Sequence, residues 1–125
     1  MLKLPADKHD LACARAIARS DWQEVQALMP QLFRWTQDPN WPVATVLYPY
    51  FIKNVAHIVE DIREVLKGED LYWQGYLLDH LIEYLPLPQI GLFAPELQQI
   101  AQASADEGNR YQANELLKRW SPPFG

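Results

Sequence analysis

Few side chains in this sequence have the means to do chemistry, and their spacing decides most of the question. His57 with Glu60 and His80 with Glu83 stand three residues apart, which puts each pair on one helix face within reach of a shared metal ion. Carboxylate-bridged helical metal sites, however, project Glu-x-x-His inward from paired helices, the reverse of the order here. His57 also shares a polar stripe with Glu60, Asp61 and Glu64, opposite Ile58, Ile62 and Val65, so these groups are expected to face solvent and no metal site is expected. Cys13 follows His9 by one helical turn, the arrangement that an activated thiolate would need. Its neighbours Ala12, Ala14 and Ala16 instead mark a small, at least half-buried position. The chain has no Gly-x-Ser-x-Gly elbow, Gly-rich phosphate loop or Cys-x-x-Cys pair. Neither a catalytic residue nor a cofactor is expected, and the chain reads as a non-enzyme.

Two groups remain that could bind something. Asp38 and Asn40 flank Pro39 just before an apolar helix, where short polar side chains accept bonds from unpaired backbone N–H groups. A small-ligand or enzyme site built on Asp38 and Asn40 is the alternative reading, and it would require a cleft where they converge with aromatic side chains. The five tryptophans and six tyrosines are the larger reservoir. Trp41 and Trp73 are expected in the core, whereas Trp22, Tyr48, Tyr72 and Tyr84, with Tyr50 beside them, are candidates for an interaction surface.

Helices must position these residues. Asp7 is the expected N-cap of a first helix running to about Arg19, and Asp21 with Glu24 has the form of a capping box for a second. The second carries Val25, Leu28, Met29, Leu32 and Phe33 at helical spacing, with a break or kink expected at Pro30. Asn40 is the expected cap of a third helix from Trp41 to about Lys53, again with a break or kink at Pro49. A fourth carries Val55, Ile58, Val59, Ile62, Val65 and Leu66 and stops at Gly68; Asp70 caps a fifth from Leu71 to Leu85, which is expected at the centre of the core. A short helix from Pro95 to Ala103 follows, then a last one opened by Ser104 with Glu107. Most of the ten prolines fall at helix starts or just past helix ends. No alternating run bounded by hairpin signals occurs, so no sheet is expected.

The second and fourth helices align at an offset of 33 residues, Val25 with Ile58 and Phe33 with Leu66. The segments after them align at 32, Asp38 with Asp70 and Trp41 with Trp73. Helix pairs repeated at this spacing, none able to bury its apolar stripe alone, are the pattern of stacked helical repeats. The expectation is an all-α fold, a HEAT-like stack of antiparallel helix pairs forming a short α-solenoid, in one domain over residues 1–125 with a frayed tail at 121–125.

The string Asp38-Pro39-Asn40-Trp41-Pro42-Val43-Ala44, with the opening Leu4-Pro5-Ala6-Asp7-Lys8-His9-Asp10, resembles a group of short bacterial domains of unknown function. The similarity continues through the fourth helix, the turn Leu66-Lys67-Gly68-Glu69-Asp70 and Trp73, and weakens in the C-terminal third. The resemblance implies a HEAT-like helical stack in a bacterial cytoplasmic protein, and it brings no activity, cofactor or catalytic residue with it.

A net charge of −5 lacks the cationic surface that sequence-independent nucleic-acid binding needs. The single cysteine excludes an internal disulfide, the N-terminus has no signal-like apolar run, and no stretch has membrane-spanning length, so a cytoplasmic location off the membrane is expected. The function expected is a protein–protein interaction module, an adaptor or an immunity-type protein, whose partner is a protein of basic character. Self-association through the end helices is compatible with a short solenoid.

Overall fold

The computed structural model describes residues 1–121, and residues 122–125 of the expected frayed tail lie outside them. Eight α-helices follow one another, with no strand among the described residues. They are α1 (Leu11–Ala18), α2 (Trp22–Val25), α3 (Pro42–Lys53), α4 (Val59–Lys67), α5 (Leu71–His80), α6 (Leu87–Ile90), α7 (Ala94–Ala103) and α8 (Glu107–Trp120).

The helix starts follow backbone chemistry. Asp10, not Asp7, caps α1, its carboxylate accepting from the Cys13 N–H and also from the Ala6 N–H. Asp7 instead closes the preceding turn by accepting from the His9 N–H. Asp21 precedes α2 without a side-chain cap bond, so the expected capping box does not form. After α2 the chain tightens into a 3₁₀ turn, Gln26–Leu28, and Met29 turns extended (φ −81°, ψ 152°), the conformation that a following proline imposes on its neighbour. Beyond Pro30 the apolar stripe resumes as a 3₁₀ segment, Gln31–Gln37, so the expected second helix is two pieces broken at Pro30.

Pro42 occupies the first turn of α3 with Trp41 as the N-cap residue. Asn40 is not the cap: its N–H is taken by Asp38 Oδ1 at 2.8 Å, a local Asx turn. The helix then runs through Pro49 without interruption. Pro49 and Thr45, whose carbonyl has no N–H to meet at position 49, are both exposed, so the missing bond falls on the solvent side of the helix. Gly68 ends α4, and Asp70 caps α5 by accepting from the Trp73 N–H at 3.1 Å. The fifth helix is shorter than its apolar run: it ends at His80, and Ile82–Tyr84 continue as a 3₁₀ turn. For α8 the cap is Asp106, accepting from the Asn109 N–H, while Ser104 Oγ accepts from the Asp106 N–H. The short helix α6, with Pro88 in its first turn, falls in a segment that sequence reasoning left as a connection.

One core joins these elements, with Ile17, Leu47, Phe51, Ile62, Leu78 and Phe93 fully buried within it. Helix α1 packs on α3, and α3 and α5 both pack on the 3₁₀ segment Gln31–Gln37. Helix α4 lies against α5 and α7, and α8 covers α5, α6 and α7. Two polar devices lock the stack. Arg63 of α4 reaches Glu96 of α7 at 3.3 Å and donates to the Leu92 carbonyl at 3.0 Å. The buried Asn109 amide of α8 donates to the Leu71 carbonyl and to Gln74 Oε1 of α5, while Gln74 Nε2 donates to the Leu66 carbonyl. Gly75 permits that close approach, because a Cβ there would stand 2.6 Å from Asn109 Oδ1.

Candidate functional site

The aromatic residues separate sharply by place. Tyr48, a candidate surface residue by sequence, is buried at 5% exposure, and its hydroxyl donates to the Thr36 carbonyl at 2.6 Å. Burial first, then the negative charge of Asp38, pushes its phenol well above the ordinary range, so it stays a neutral donor. Its ring belongs to the core because the 3₁₀ segment Gln31–Gln37 packs over that side of α3. Trp22 is half-buried, with His57 stacked on it at 5.5 Å and 9° between planes, and Tyr50 at 6.5 Å. Its rings are therefore spoken for within the molecule. Tyr50 itself is buried and donates to the Ser20 carbonyl. Trp41 and Trp73 are half-buried against the core, Trp41 edge-on to Trp35 and Trp73 tilted against Phe33.

Tyr72 and Tyr84 are 79% and 67% exposed. They are the ends of a longer row that sequence reasoning did not assemble: Tyr72, Tyr76, His80 and Tyr84 recur every fourth residue along α5 and the 3₁₀ turn after it. Side chains four apart lie one above another on a helix surface, which places Tyr72, Tyr76 and His80 on one face of α5, while Tyr84 follows in the 3₁₀ turn beyond the helix end. The period-four spacing was the signal available in the sequence. His80 joins the row to its surroundings, with its ring 6.3 Å from Tyr76 and 6.0 Å, edge-on, from Tyr48. Beside it opens a groove of about 300 Å³ lined by Pro39, Tyr48, Pro49, Ile52, His80 and Tyr84. Its walls are apolar or aromatic, with Thr45 the one hydroxyl residue besides the tyrosines. On the flank of the row, burial above all pushes the Asp79 carboxyl upward; His80 opposes the shift and Glu83 adds to it.

The other sequence candidates are dispersed. His57 stacks on Trp22 and His80 stands between Tyr48 and Tyr76, each in its own setting. Among the described residues, no group of three or more His, Cys, Asp or Glu side chains is placed to hold a metal ion. Cys13 is half-buried, and its Sγ lies 3.0 Å from the Lys3 carbonyl, to which the thiol donates. Burial first, and Asp10 second, push that thiol upward, the opposite of an activated thiolate. Asp38 and Asn40 form their own turn and do not line the aromatic groove, although Pro39 between them does. Among the described residues, no helix is long and apolar enough to cross a membrane.

A groove of this kind, open and apolar beside exposed aromatic residues, can hold a polypeptide side chain. No curated protein matches the chain. A family model described as "Domain of unknown function (DUF5071)" matches residues 3–120, nearly the whole chain, and the protein belongs to that family.

Proposed function

We propose that this protein is a protein–protein interaction module whose docking face is the row Tyr72, Tyr76, His80 and Tyr84 with the groove at its side. The observation that carries the reading is the exposure of Tyr72 and Tyr84 at the two ends of this aromatic series. Large rings left in water are costly to hydrate and inexpensive to immobilise, which is why aromatic anchors dominate partner affinity. The architecture supports the same reading. The pairs α4/α5 and α7/α8, each joined by a three-residue turn and packed together, have the form of helical hairpins. Stacked hairpins of this type make a HEAT-like short solenoid, a scaffold that offers faces rather than enclosed catalytic pockets. The role is binding and not catalysis, as an adaptor or an immunity-type protein that masks a partner. A net charge of −5 favours a basic partner, and the unpaired Cys13 suits a reducing, cytoplasmic setting.

The test is a comparison of partner capture from cells that express the protein, using the parent and a Tyr72→Ala/Tyr84→Ala variant. Both tyrosines are exposed, so the variant should melt like the parent while losing the captured protein. Equal capture by a folded variant would remove the face from the account.

A further inference from the structure

A second cleft, sharing no lining residue with the aromatic groove, opens where the loop at Pro30 meets the turn between α4 and α5. It encloses about 290 Å³. Its accessible apolar surface comes from the exposed Pro30 and the half-buried Trp73, backed by Phe33 and Val65, which are 2% and 8% exposed. Its polar surface is acidic: Asp61 and Glu64 from α4, and Glu69 and Asp70 from the turn, against the single guanidinium of Arg34. Among the described residues none of these carboxylates is within ion-pair distance of a cation. Arg63, on the same helix as Asp61 and Glu64, is committed to Glu60 and Glu96. Negative charge is thus concentrated around Trp73 without an ion-pair partner, and Asp70 is the one of the four already engaged as a helix cap. Burial, with Glu64 and Glu60 adding repulsion, pushes the Asp61 carboxyl upward, as expected where like charges crowd without a counter-charge.

We infer that this cleft is a docking site for a basic polypeptide segment, with a lysine or arginine side chain laid over Trp73 and Pro30 and its charge met by Asp61, Glu64 and Glu69. Each part of such a side chain finds its complement there. The methylene stem covers Pro30, and the cationic head gains from both the Trp73 ring and the carboxylates. An acidic or neutral segment would gain neither. The site is independent of the tyrosine row, so its failure would leave that reading standing.

The probe is the peptide acetyl-Gly-Lys-Gly-Arg-Gly-amide, titrated into the full chain and followed by ¹H–¹⁵N NMR. Resonances of the Trp73 indole N–H and of the Asp61, Gly68 and Glu69 amides should shift saturably. The affinity should fall as salt rises from about 50 to about 300 mM, since a rim-exposed charge attraction is screened. Asp61→Asn/Glu64→Gln should weaken binding about tenfold. Arg34→Gln, which removes the competing cation, should tighten it several-fold, a gain that a misfolded variant could not mimic. Overturning results are an absence of cleft shifts at millimolar peptide, variants that bind as the parent does, or equal binding by a peptide with glutamate in place of the two basic residues. Spermidine binding as tightly as the peptide would likewise overturn the assignment, because the site would then recognise free polyamine.

Discussion

The indole N–H of Trp73 donates to Thr36 Oγ1 at 2.9 Å, joining α5 to the 3₁₀ segment Gln31–Gln37 through a side chain that is wholly buried. Thr36 is a junction as well as a contact. Its hydroxyl donates to the Phe33 carbonyl at 2.6 Å, and its own carbonyl receives the Tyr48 hydroxyl from α3. Three elements thus converge on one threonine, and no buried side-chain polar atom in the described chain lacks a partner. Both clefts adjoin this junction, since Trp73 lines the acidic cleft and Tyr48 lines the aromatic groove.

Thr36→Val keeps the shape and deletes the hydroxyl, leaving the Trp73 N–H with no acceptor at its current one. A buried donor left unpaired costs about 1–3 kcal/mol. Chemical denaturation should show a loss in that range with an unchanged slope. A variant as stable as the parent would mean that the junction is not load-sharing between the three elements.

Asp70 and Asp38 occupy matching positions of the sequence repeat but do different work. Asp70 caps α5, whereas Asp38 closes an Asx turn ahead of α3. Asp70→Ala should therefore cost about 1 kcal/mol, the usual value of a helix cap. Asp38→Ala should cost less, because the Asn40 N–H that it releases lies in an exposed turn that water can reach. Paired thermal melts decide the order, and a larger loss for Asp38→Ala would contradict it.

The acidic cleft should betray itself in pH dependence. Because folding raises the Asp61 carboxyl above its ordinary range, protonation favours the folded state. The contribution is fully present below the unfolded carboxylate range near pH 4 and is lost as pH rises through the folded value. At pH 7 the ionised group therefore opposes folding, and Asp61→Asn should melt slightly higher than the parent. That advantage should shrink as the pH falls toward 4. A binding site that keeps an uncompensated charge at the expense of stability behaves in this way. Melting curves at pH 4 and pH 7 that show the variant less stable at both would contradict the sign.

Some local backbone signals were sufficient, although the Asp21–Glu24 capping box, the Asn40 cap and an interruption at Pro49 were not among them. Pro42 opens α3, Gly68 closes α4, Asp70 caps α5 and the chain breaks at Pro30, each for a local backbone reason. Local chemistry failed where two equivalent groups competed. Asp7 and Asp10 both suit an N-cap, and the start of α1 is settled by tertiary context: α1 packs on α3, and the Lys8 carbonyl accepts the Val43 N–H across that contact. Aromatic placement was least legible. Tyr48 is covered by a segment that packs on α3 only in the folded chain, and Trp22 is covered by His57 from beyond α3. The face on α5 was within reach because its period is local, although Tyr76 and His80 had to be added to Tyr72 and Tyr84 to complete it.

The central claim is that this aromatic face meets another protein, and site-specific photo-crosslinking in cells that express the protein tests it most directly. A benzophenone side chain would replace Tyr72 or Tyr84 on the face, with Gln98 of α7, an exposed residue outside both clefts, as the control. The account predicts a discrete adduct of one mass from both tyrosine positions and none from Gln98; an adduct of twice the protein's own mass would identify the partner as a second copy. No adduct from either tyrosine position, or the same adducts from Gln98, would contradict it.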